Sequence, residues 1–144
     1  MMGTLIFVVY SFLSPAATSV SGWEIFSKTT FEWKFVEEVG AQVEIPTFDD
    51  KVKSLDGKEI TLTGYYLPIN ISRKKIILSK LPMAACFFCG GEGGLESVAE
   101  VYFESDHPRF KMDELVTVKG RLLLNNGIDG HLVFILVNAT VSTS

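Results

Sequence analysis

Two glycines set inside long β-branched runs do most to limit how this chain folds. Residues 59–67 are rich in Ile, Thr and Tyr and carry Gly64 within them; residues 115–124 are strand-like and carry Gly120. β-Branched and aromatic side chains suit a pleated, half-buried surface. A glycine inside such a run marks a bulge or a sharp bend, and small barrels need bends of that kind at their corners. Three more segments share the strand pattern. Residues 75–79 are short and apolar. Residues 97–104 alternate, with Ala99, Val101 and Phe103 on one face and Glu100, Tyr102 and Glu104 on the other. Residues 132–141 follow the turn signals Asn125-Asn126-Gly127 and Asp129-Gly130. This order predicts a mainly all-β fold, a five-stranded OB-like Greek-key barrel. The helix usual between the third and fourth strands is short or absent.

Upstream, Phe31-Glu32-Trp33-Lys34-Phe35-Val36 alternates aromatic and charged residues, and residues 42–45 can return antiparallel to it past Gly40. That gives the barrel an N-terminal β-hairpin extension. Pro46 is expected to break its second strand, and Pro68 to end the long strand begun at Glu59. Residues 23–26 read as a short helix or turn, and 48–55 as a helical turn at best. The hairpin also leaves a seven-stranded β-sandwich as an alternative fold.

Residues 22–144 form one domain, and 144 residues allow a sizeable core. The first 21 residues read differently. The run Leu-Ile-Phe-Val-Val-Tyr-Ser-Phe-Leu at 5–13 is too short to span a bilayer. Small residues follow it, as in a secretory signal peptide, with Ser19 and Ser21 suited to cleavage before Gly22. No Lys or Arg precedes the run, which departs from that pattern; the alternative is a buried strand over residues 5–10. Export would place the protein in the periplasm or outside the cell, where cysteine pairs oxidise. No integral membrane domain is expected. A net charge of −4 argues against nucleic acid, which Lys and Arg must neutralise. A protein partner or a second copy is the remaining macromolecular class.

Chemistry concentrates at Cys86-Phe87-Phe88-Cys89-Gly90-Gly91, which holds both cysteines of the chain. Cys-x-x-Cys presents two thiolates from one tight turn, as zinc prefers. Gly90 can let backbone N–H groups point back at the sulfurs. A knuckle supplies two of four ligands, so the metal reading needs others; His107 and His131 are the first candidates, with Asp106, Glu92 and Glu96 behind them. A redox dithiol of Cys86 and Cys89 is the second reading, but the loop runs through glycines rather than into an obvious helix. The plainest reading is a disulfide or two buried thiols, although so short a loop gains little from closure. No catalytic triad or phosphate loop stands out, so a non-enzymatic binding module is favoured over an enzyme. An OB barrel can also bind oligosaccharides or oligonucleotides, and Tyr65, Tyr66 and Tyr102 would then be the exposed stacking platform.

Pro46-x-Phe48, then Leu55-Asp56-Gly57-Lys58-Glu59-Ile60-x-Leu62-x-Gly64-Tyr65-x-x-Pro68, then Leu78-Ser79 and Cys86-Phe87-Phe88-Cys89-Gly90 resemble a family of small exported bacterial proteins of unknown function. The resemblance covers most of residues 23–139. It implies a periplasmic or secreted OB-like domain. Relatives with Cys and His in the equivalent loop imply a metal, and the resemblance implies no activity.

Overall fold

The computed structural model describes residues 21–86 and 92–142. Readings that fall on residues 1–20, on Cys89 or on Gly90 lie outside them. Five strands close a barrel: β3 (Glu59–Ser72), β4 (Lys75–Ser79), β5 (Val98–Phe103), β6 (Leu115–Leu124) and β7 (Phe134–Val141). Their order around the barrel is β3-β4-β5-β7-β6. Neighbours are antiparallel except β5 and β7, which run parallel, and β6 returns to pair with β3. This is the expected all-β barrel, and residues 104–114 between β5 and β6 carry no helix. The sandwich alternative falls: β1 (Thr30–Val36) and β2 (Ala41–Thr47) pair only with each other.

Gly64 sits where β3 lies tightest. A Cβ there would stand 2.8 Å from the Ser79 carbonyl oxygen and 3.1 Å from the Trp23 ring. The close approach lets α1 (Gly22–Phe26) plug the barrel. Trp23 Nε1 donates to the Thr63 carbonyl at 2.7 Å. Phe26 stacks on Phe134 with centroids 3.9 Å apart and planes 6° from parallel. Around this pair pack Leu62, Tyr66, Ile76, Leu78, Val101 and Leu136. On the opposite side, Gly120 allows β7 to bulge: a Cβ there would meet the Val137 carbonyl at 3.1 Å. Asn138 takes φ 51° at the bulge, so that Leu136 and Ala139, three residues apart, both face the core.

Both prolines depart from expectation. Pro46 lies within β2, opposite Phe31, in a two-stranded ribbon with open outer edges where a missing N–H costs little. β3 runs through Pro68 to Ser72, and its pairing with β4 shifts register between Leu67 and Ser72, so no ladder bond is required of the proline. α2 (Asp50–Ser54) is the helical turn expected there, and the Asp49 side chain caps it by accepting from Val52 N–H at 2.9 Å. Among the described residues, no helix is long and apolar enough to cross a membrane.

Candidate functional site

The outer face of β4 and β5 is the surface on which OB barrels bind, together with the loop joining their last two strands. In register across it lie Leu67 of β3, Ile77 of β4, Glu100 of β5 and Ile135 of β7. Such a row would ordinarily be wet. Here Leu67 and Ile77 are buried, because the chain leaving β4 folds back over them. That cover is a 3-10 turn, Met83–Ala85, followed directly by Cys86. Cys86 is buried with Leu67 and Ile77 in a small second core, against which Met83, Ile69 and Leu132 also pack. The cover is pinned at its start: Met83 N–H donates to Asp113 Oδ1 at 2.7 Å, and Leu81 N–H to Ser79 Oγ at 3.0 Å.

Beside this layer lies a buried carboxylate. Glu100 is 3% exposed, although it lies on the strand face opposite Ala99, Val101 and Phe103. Burying a charge is costly unless it is paired and hydrogen-bonded, and Glu100 has four partners. Oε1 accepts from Leu132 N–H at 3.2 Å and pairs with Lys75 Nζ at 3.6 Å. Oε2 accepts from Tyr102 O–H at 2.8 Å and lies 3.1 Å from His131 Nδ1. Lys75 also stands over the Tyr102 ring, 5.6 Å from its centroid.

Burial and the donated bond to Glu100 push the Tyr102 hydroxyl from 10.0 up to about 12. The sign follows. Below pH 10 the phenol is protonated in folded and unfolded chains alike. Between about 10 and about 12 the unfolded chain loses that proton and the folded one keeps it, so stability falls as pH rises. The slope stays below the one-proton limit of about 1.4 kcal/mol per pH unit, since solvent reaches the ring. Denaturant unfolding at successive alkaline pH values is expected to show this loss in the wild type and to lack it in Tyr102→Phe. Identical slopes in the two would contradict it.

The loop between β6 and β7 brings His131 to the cluster. Asn125 Nδ2 donates to Asp129 Oδ1 at 2.9 Å, and His131 N–H to the same oxygen at 3.1 Å. Those bonds, the Asn125 amide first, hold the Asp129 carboxyl below its usual value. The loop thus delivers the His131 ring to Glu100 and, one residue on, Leu132 to the layer over Cys86.

His107 is elsewhere. It lies against Phe103 and stacks on Phe110, with centroids 5.3 and 5.5 Å away. Its Nε2 is 2.8 Å from the Ser72 carbonyl and its Nδ1 2.6 Å from the Pro108 carbonyl. Both ring nitrogens are thus turned onto backbone carbonyls of this chain. The two histidines therefore lie apart in the fold, His131 at the Glu100 cluster and His107 among Phe103, Phe110 and the Ser72 carbonyl. Of the other acids, Asp106 pairs with Arg73 at 3.7 Å and Glu96 accepts from Gly94 N–H at 3.3 Å. Among the described residues no three His, Cys, Asp or Glu side chains converge on one point; Cys89 is not among them.

The stacking platform is not assembled. Tyr66 points into the core, its ring against Phe110 at 5.5 Å, while Tyr65 and Tyr102 are half-buried. Sequence reading missed Glu100 and Lys75 altogether, because nothing local says that this strand face is roofed.

No family model matches the chain, and no curated protein matches it. Among solved structures it is similar to a DUF3299 family protein from Pseudomonas aeruginosa, at 20% identity with a TM-score of 0.48. The match covers 65% of this chain and 66% of that one, so the chain spans just under two thirds of that protein's length.

Proposed function

We propose that the protein is an exported OB-like binding module that holds a transition metal, zinc, on the outer face of β4 and β5. Cys86 and Cys89 supply thiolates and His131 a ring nitrogen. The observation that carries this reading is the pairing of His131 Nδ1 with the buried Glu100 carboxylate beside the layer that contains Cys86. Metal-binding histidines characteristically give their other ring nitrogen to a carboxylate. Two thiolates and one imidazole form a donor set that zinc accepts, with a fourth position for water, a ligand or a second chain. A zinc ion there would supply a fixed positive charge and a Lewis-acidic position. Around it, Leu67, Ile77, Met83 and Leu132 exclude water, and Glu100 fixes the imidazole. Support for export comes from the apolar run at 5–13 with small residues after it.

Elemental analysis of protein purified without chelator, with a parallel thiol count, tests the proposal. Stoichiometric zinc that is lost in Cys86→Ser is the expected result. Substoichiometric metal, unchanged in Cys86→Ser, would overturn it. The thiol count then separates a disulfide from two buried thiols.

A further inference from the structure

The hydrogen bonds around Glu100 determine more than the position of His131. His131 Nδ1 faces two oxygens, Glu100 Oε2 at 3.1 Å and the Tyr102 hydroxyl at 3.4 Å. The carboxylate oxygen can only accept. The hydroxyl has already given its proton to the same carboxylate, at 2.8 Å, and toward His131 it too presents a lone pair. Nδ1 therefore has two acceptors before it and must carry the hydrogen. In the neutral ring that leaves Nε2 bare. The His131 side chain is about half exposed, against 4% for that of Glu100, so the bare nitrogen belongs to the accessible part of the pair.

We infer that Glu100 and Tyr102 are positioning residues that lock neutral His131 in the Nδ1–H tautomer and present Nε2 as a preset lone pair for a metal. The lock is read from geometry alone; only its use for zinc rests on the proposed function. It also explains why the carboxylate needs its other two partners. Leu132 N–H and Lys75 occupy Oε1, so Oε2 is the oxygen left to receive both Tyr102 and the ring.

Glutamine at position 100 tests this sharply. Its amide oxygen must take the Oε1 place, since an NH2 there would face an N–H and an ammonium. The NH2 then faces His131 Nδ1 and donates to it. The tautomer inverts, Nε2 becomes protonated, and the lone pair turns inward.

The experiment is two-dimensional 15N–1H correlation spectroscopy on metal-free protein with labelled histidine, at a pH raised until the rings are neutral. The expected wild-type spectrum has His131 Nδ1 at the protonated and Nε2 at the deprotonated position, and Glu100→Gln exchanges them. An Nε2–H tautomer in the wild type, or the tautomer mixture of a free imidazole, would overturn the inference; so would an unchanged tautomer in a folded Glu100→Gln. The wild-type spectrum decides even where the variant does not fold. Zinc affinity is read separately and is expected to fall about 10–100-fold in Glu100→Gln. A wild type that shows the locked tautomer but binds no zinc leaves the inference standing and removes the metal reading.

Discussion

Phe134→Ala is expected to destabilise the barrel by about 3–5 kcal/mol, with a large fall in the denaturant midpoint and little change in slope. Phe134 opens β7 and is fully buried. Its ring stacks on Phe26 at 3.9 Å and meets Phe48 edge-on at 6.0 Å. Alanine removes the floor under α1, and the cavity cannot collapse easily because barrel closure fixes the strands on either side. The two Phe contacts tie separate segments to the barrel, so α1 and the turn before α2 are expected to loosen together. Hydrogen exchange would show this as lost protection around Trp23 and Val52. A cost under about 1 kcal/mol would mean that the plug is not seated as described.

Gly64→Val is expected to cost at least about 3 kcal/mol, beyond ordinary overpacking. The nearest obstacle to a Cβ is backbone, the Ser79 carbonyl oxygen at 2.8 Å, and behind it stands the Trp23 ring at 3.1 Å. Neither yields without moving β4 or α1. Gly120 provides the internal comparison, because its closest contact is 3.1 Å. Alanine is therefore expected to cost more at 64 than at 120, as measured by urea unfolding. The opposite order would contradict the assignment of Gly64 as the tight corner.

Those two glycines were legible in the sequence, and so were the five barrel strands. Alternation and turn chemistry are local, and each strand announces itself by them. The prolines were misread for a definite reason. A proline breaks a strand only where its absent N–H is needed, and need depends on what lies alongside. Pro46 has an open edge and Pro68 a register shift, both tertiary facts. The helix that plugs the barrel was seen as a helix or turn, but its five residues carry no sign of their destination.

The candidate site was legible in residue types more than in arrangement. Cys86 was marked by spacing and His131 by chemistry. Alternation separated Glu100 from the Ala99, Val101 and Phe103 face, but it cannot say whether another segment covers the Glu100 side. The cover comes from Met83 and Cys86, and the imidazole that Glu100 holds from a loop 31 residues further on. Pairings across such distances leave no periodic trace. His107 shows the converse: as a residue type it matched His131, and only the fold separates them, by seating it between Phe103 and Phe110.

Cobalt(II) in place of zinc tests the central claim most directly, because its visible spectrum reports both geometry and donor atoms. Wild-type protein is expected to give intense tetrahedral bands with thiolate charge transfer. His131→Ala should shift and weaken them, Cys86→Ser should lose at least half of the charge transfer, and His107→Ala should leave the spectrum unchanged. A weak octahedral spectrum in the wild type, or a response to His107→Ala in place of His131→Ala, would contradict a metal held by Cys86, Cys89 and His131.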